Sequence, residues 1–215
     1  MGISERRERE RQEVRRKILD AARELFAAEG YDAVTMRKVA DAIEYSPTAI
    51  YLHFPDKETL VRELCAEDFL TLAKAFQRLG REPDPVERIR KIGMAYVDFG
   101  LKHPNHYRLM FMTASPHPPG EEKALSKGNP DEDAYAFLVA TVAQAIGAER
   151  LRPEHRDPHL VAQLLWSGVH GVVSLRIARG DDRWLEWKPA RKVAQALVDA
   201  QLRGLLRDPG SLAEG

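Results

Sequence analysis

The stretch from Thr35 to Lys57 constrains this chain more than any other, because it sets two short helix patterns around a tight turn. Met36, Val39, Ala40 and Ile43 recur at i, i+3, i+4 and i+7, the spacing of one apolar helix face. Ser46 followed by Pro47 signals a restart, since a serine hydroxyl caps orphan amides and proline is tolerated at the first helical position. The helix that follows, roughly Pro47 to His53, is too short to be stable alone and has to be docked. Ile50 and Phe54 are spaced to dock it, which leaves Thr48, Ala49, Tyr51 and His53 pointing outward. With a third helix starting behind them, these are the parts of a helix-turn-helix. A small exposed helix edge carrying Thr, Tyr and His suits a DNA major groove.

The rest of the chain reads as helix after helix. Val14, Ile18, Ala21, Ala22, Leu25 and Phe26 share one face of a helix over about 7–29, which Gly30 stops. Asp56 caps a helix over about 57–79, and Gly80, Pro83 and Pro85 mark the clearest break in the chain. Helices are expected near 85–102, 104–114, 132–147, 158–179 and 189–207, while Thr113 to Asp133, rich in Pro, Gly, Ser and charge, reads as a long mobile loop. Strand signals are absent. The expected fold is all-α with about nine helices. It has a helix-turn-helix module at 1–56, a linking helix at 57–79, and a larger helical ligand-binding and dimerisation domain at 80–215.

Composition allows this without pointing to it. In 215 residues with 44% hydrophobic content there is material for one or two cores. The formal net charge is +0, so DNA binding would rest on local phosphate contacts from helix N-termini and a few cations. Arg37, Lys38 and Lys57 flank the second short helix, and Arg6, Arg7, Arg9, Arg11, Arg15, Arg16 and Lys17 crowd the N-terminus. Glu5, Glu8, Glu10 and Glu13 interleave with them, so a solvated helix laced with i, i+4 pairs is the plainer reading of that arm. No run of about 18 apolar residues is recognised as a membrane span, and the charged N-terminus lacks a secretory apolar core. With Cys65 the only cysteine, a cytoplasmic, membrane-free protein is expected.

The segment carrying Thr35, Val39-Ala40, Ser46, Ile50-Tyr51-Leu52-His53-Phe54 and Lys57 closely resembles the DNA-reading module of the TetR family of transcriptional regulators. One departure is visible: Glu44 stands at the turn where the family usually has Gly, and a left-handed residue with a side chain costs on the order of 1 kcal/mol. With the outward helix edge and the flanking cations, the expected DNA contacts are Thr35, Arg37, Ser46, Thr48, Ala49, Tyr51, His53 and Lys57.

Beyond the first module, two segments are less specifically similar to the regulatory domain of one TetR subgroup. They are His103-Pro104-x-x-Tyr107-Arg-Leu-Met-Phe111 and the Trp166-x-x-x-His170-Gly171 run. The aromatic and methionine content of Tyr96, Phe99, His103, Tyr107, Met110 and Phe111, joined by Phe137, Trp166 and His170, suits an adaptable effector pocket as well as it suits a plain core. Small residues at 167, 168, 171 and 174 inside one helix imply close approach by another helix or a ligand. Val193, Leu197, Ala200, Gln201 and Leu205 form a stripe on the last helix. With 158–179 it could make half of an intermolecular four-helix bundle, or pack within the chain; the resemblance implies the homodimer.

No catalytic constellation is found. The pairs His103/His106 and His155/His159 have helix spacing for a metal, but Pro104 and Pro158 border them and nothing completes a site. No enzyme activity, metal or cofactor is expected. The expected function is a sequence-specific DNA-binding regulator, a repressor released from a palindromic double-stranded operator by a small, largely apolar effector. A helical small-molecule-binding protein without functional DNA binding is the alternative.

Overall fold

Cap signals divide the chain into its elements. The structure, a computed structural model, describes residues 3–113 and 128–211. Among these residues lie nine α-helices and no strand: α1 (Ile3–Glu29), α2 (Met36–Ala42), α3 (Pro47–Tyr51), α4 (Lys57–Gln77), α5 (Pro85–Lys102), α6 (Pro104–Phe111), α7 (Ala134–Gly147), α8 (Pro158–Arg179) and α9 (Ala190–Leu205). Asp84, Asp133 and Asp157 each accept hydrogen bonds from the first free amides of α5, α7 and α8, and prolines open α5 and α8. Asp56 does the same for α4 through the amide of Thr59 at 2.6 Å. Most of the segment expected to be a mobile loop, 114–127, lies outside the described residues.

The chain forms two compact units. The first holds residues 3–68 with 104–113, and its core is Ile18, Ala22, Phe26, Val34, Val39, Ala40, Ile50, Phe54, Leu60 and Leu64. It therefore contains α6, a helix that the sequence reading assigned to the 80–215 domain. The reason is local packing. Tyr107 is fully buried in this unit, the Asn105 amide donates to the carbonyl of Ala27 near the end of α1, and His106 Nδ1 lies 3.1 Å from Asp68. Helix α4 starts in this unit and ends in the other, so neither 56 nor 79 is a boundary in packing terms.

The second unit packs α5, α7, α8 and α9 together around Ile89, Ile92, Val97, Val142, Val161, Ala162, Val169, Val173, Val198 and Leu202. Gly93 allows α5 to approach, since a Cβ there would stand 3.1 Å from Val198 and 3.6 Å from Val169. Arg90 on α5 pairs with Asp199 on α9 at 2.9 Å, and that hydrogen bond holds the guanidinium pKa above its ordinary value. Helix α8 corrects one expectation. At 22 residues it is long and apolar enough to cross a membrane, although only 28% of its most apolar stretch is buried within the chain. The sequence reading missed this because His159, Gln163, Ser167 and His170 interrupt the run. Its buried stripe, Val161, Ala162, Leu165, Val169 and Val173, accounts for part of that apolarity as ordinary core.

Candidate nucleic-acid interface

The geometry around α3 starts from two helix caps. The Thr35 hydroxyl accepts from the amide of Lys38 at 3.2 Å, and the Ser46 hydroxyl accepts from Ala49 at 3.2 Å. Each hydroxyl keeps its own proton to donate elsewhere. Between the caps, α2 ends in a paired closure: Glu44 N–H donates to Asp41 at 3.2 Å and Tyr45 N–H to Ala40 at 3.0 Å. That Schellman geometry needs a left-handed residue after the cap, and Glu44 supplies it with φ +59°. The turn is thus the regular one, made with a side-chain-bearing residue.

Helix α3 is a single well-docked turn. Ile50 and Phe54 are fully buried, while Thr48 is exposed and Tyr51 keeps 51% of its surface exposed. Ala49 is half-buried beside them. Leu52, with 75% exposure, also faces outward. Arg37 is exposed on α2 with no ion pair among the described residues. Lys38 pairs with Glu29 at 2.5 Å.

Two residues expected to face DNA are half-buried and bonded to the protein itself. His53 is half-buried, its Nδ1 has no hydrogen-bond partner, and its carbonyl accepts from Arg15 at 3.2 Å. Burial, then the positive charges of Arg11 and Arg15, lower its pKa, so the ring is neutral at pH 7. Lys57 donates to the carbonyl of Tyr31 at 2.5 Å and sits 3.9 Å over the Tyr31 ring. Burial lowers its pKa, although Asp32 and Glu58 pull the other way. These contacts pin the start of α4 to the loop after α1.

Arg15 was not singled out from sequence beyond the basic run. It pairs with Glu63, bonds the end of α3 and lies 4.5 Å over the Phe54 ring. A basic residue one turn ahead of the α1 core stripe was its only signal.

The residues expected to bind an effector fall into both units. Tyr107, Met110 and Phe111 lie on α6 in the first unit, where Tyr107 and Phe111 rings stand 4.9 Å apart. Tyr96, Phe99, His103, Phe137, Trp166 and His170 lie in the second. There Trp166 Nε1 donates to the Tyr96 hydroxyl at 2.9 Å, and that hydroxyl lies 3.4 Å from His170 Nδ1. Burial lowers the His170 pKa. Tyr135, which no sequence signal marked, extends the network: its ring is 6.1 Å from Trp166 and its hydroxyl 3.2 Å from His159 Nδ1. Phe99 packs on His103 at 5.5 Å and Phe137 on Phe76 at 6.5 Å. Among the described residues, no group of three or more His, Cys, Asp or Glu is placed to hold a metal.

A capped, docked α3 after α2, with Thr48 and Tyr51 outward, and a helical bundle in the second unit make the architecture of a helix-turn-helix protein. Residues 18–64 match the family of bacterial regulatory proteins called tetR, and residues 89–201 match a tetracyclin repressor-like C-terminal domain. The chain belongs to the TetR family, whose members are transcriptional regulators and not enzymes. It is 46% identical over 66 residues to the HTH-type transcriptional repressor Rv1474c of Mycobacterium tuberculosis, a stretch covering 31% of this chain and 35% of that protein. The match thus spans about a third of the length of the curated relatives. Among solved structures, a protein of unknown function from Rhodococcus sp. RHA1 is 26% identical with a TM-score of 0.73, covering 90% of this chain and 95% of that one. The TetR family regulator PfmR of Thermus thermophilus shares the fold at 24% identity and a TM-score of 0.64, over 89% of this chain and 96% of that one.

Proposed function

We propose that the protein is a homodimeric repressor acting in the cytoplasm, bound to a pseudo-palindromic operator and released by a small, largely apolar effector. The observation that carries this is α3, whose Ile50 side is fully buried while Thr48 and Tyr51 are exposed. Thr48, Ala49 and Tyr51 would read base edges in the major groove, and Arg37, with the Thr35 and Ser46 hydroxyl protons, would hold phosphates. His53 and Lys57 would act by fixing the end of α3 and the start of α4.

One α3 reads too few bases for useful specificity, so two-fold pairing is required. Its support is the outer face of α8 and α9. Leu160, Leu164 and Leu175 are 52%, 46% and 55% exposed, and Val193 is 40% exposed. Of the stripe expected on the last helix, Val193, Leu197, Ala200 and Gln201 are exposed or half-buried, whereas Leu205 is buried within the chain along with Ala194, Val198 and Leu202. Gly168 receives the Gln201 side chain, whose amide donates to Leu164 at 2.8 Å, but a Cβ at Gly171 would meet nothing within 4 Å. That open face suits a second copy of the same helix pair.

The Tyr96–Trp166–His170 network and its aromatic surroundings support effector binding in the second unit, with α4 as the element carrying the response toward α3. A coupling of about 1–3 kcal/mol would change operator affinity roughly 5- to 150-fold. Selection of bound sequences from a random duplex library tests the reading. An inverted repeat is the expected product; failure of folded, dimeric protein to enrich any sequence would leave a small-molecule-binding protein with a silent DNA module.

A further inference from the structure

Helix α1 continues well beyond the core it helps to build. Ser4 to Glu13 are all exposed, whereas Ile18, Leu19, Ala22 and Phe26 are buried. The buried stripe of α1 advances by three and four residues, and its extension toward the N-terminus passes through Arg11 and Arg7. Charged residues therefore stand on the face where apolar ones stand further along. Most other charges of the extension have local partners: Arg6 pairs with Glu10 at 2.9 Å, Gln12 donates to Glu8 at 2.8 Å, and Arg16 lies 4.0 Å from Asp20. Arg7 and Arg11 have no ion pair among the described residues.

The direction of that face is set by Arg15, which bonds the carbonyl of His53 at the end of α3 and covers the Phe54 ring. Arg11 lies about one turn further out on the same side of the helix. At about 1.5 Å per residue, Arg11 and Arg7 stand roughly 6 and 12 Å beyond Arg15 along the helix axis.

We propose that Arg7 and Arg11 form a second DNA contact, with the α1 extension binding phosphates that flank the half-site read by α3. This rests on α3 being the base-reading element. The contact is sequence-independent, and it would answer how a chain with a formal net charge of +0 holds a polyanion: two exposed guanidinium groups, with no ion pair among the described residues, stand on the α1 extension beyond the end of α3.

The test compares wild type, R7Q/R11Q and R7K/R11K on the duplex recovered by selection and on a duplex of unrelated sequence, across a salt series. For a dimer, R7Q/R11Q should lower the slope of log K against log salt by about 3.6, at about 0.9 per phosphate contact. Both duplexes should be weakened alike, so the base preference stays, and ethylation of the flanking phosphates should cease to interfere. R7K/R11K should keep most of the slope, because an ammonium still neutralises a phosphate. Unchanged slope and affinity in a folded, dimeric R7Q/R11Q protein would overturn the proposal while leaving α3 as the reader. Absence of any wild-type duplex binding would overturn both readings.

Discussion

Replacing Glu44 by Gly should make this protein more stable. Glu44 holds φ +59° in the closure of α2, and its side chain is exposed. A side chain in that conformation costs about 1–2 kcal/mol, which glycine avoids. Against this, glycine gains unfolded-state freedom worth about 0.4–1 kcal/mol. The net expectation is roughly 0.5–1 kcal/mol of stabilisation. The carboxylate itself contributes little, because it stands after the C-terminus of α2, where it is unfavourable, and just before the N-terminus of α3, where it is favourable. At about 2–4 °C per kcal/mol for a chain of this size, Tm should rise by roughly 1–4 °C. Amide exchange in α2 and α3 would locate the gain in the first unit, which matters because two units need not unfold together. Glu44→Ala is the control, since it removes the charge and keeps the strained Cβ. If alanine stabilised as much as glycine, or if glycine destabilised, backbone strain would not be the cause. Glu149 closes α7 in the same way, with φ +55° and its amide on Ile146 at 2.9 Å, so Glu149→Gly should repeat the effect in the second unit.

Tyr51→Ala should weaken selected-duplex binding by about 1–3 kcal/mol and leave dimerisation intact, as measured by competition binding and sedimentation; wild-type affinity would refute the role of α3. Lys57→Met should cost about 2 kcal/mol through loss of the Tyr31 carbonyl bond and the ring contact, seen as a lower Tm, and unchanged stability would return Lys57 to a purely phosphate-binding role. Burial pushes the Cys65 thiol up to about 12, so it should resist thiol reagents at pH 8 in the folded protein and react once denaturant is added. The pKa of His170 is lowered from 6.5 by burial, so the unfolded chain binds its proton more tightly than the folded one. Its contribution to stability is complete above pH 6.5 and is lost as pH falls through the lower folded value. Urea midpoints between pH 7.5 and 5 should show that loss and His170→Gln should reduce it; identical profiles for the two proteins would refute the assignment.

Residues 35–57 announced their structure because every signal there is short-range: the Thr35 and Ser46 caps, Pro47 at the first helical position, and a docking pair four residues apart. The all-α class followed from the same local rules applied along the chain, and Asp84, Asp133 and Asp157 cap where such residues should. The Glu44 strain was signalled only by the resemblance, which puts Gly at that turn position, and the φ of +59° bears it out.

The assignment of α6 was not readable. Its apolar and aromatic pattern states that one face must be buried, but only packing decides against which helix, and Asn105 and Tyr107 choose α1. The fates of His53 and Lys57 were hidden for a related reason. An exposed and a half-buried polar residue look alike in sequence until a distant partner, Arg15 for one and Tyr31 for the other, takes its position. Helix α8 shows the same limit: its composition records apolar surface on all sides, and only tertiary structure separates the stripe its own chain covers from the face left open. Local chemistry determines where helices begin and end, whereas the pairing of their faces depends on contacts between residues far apart in the chain.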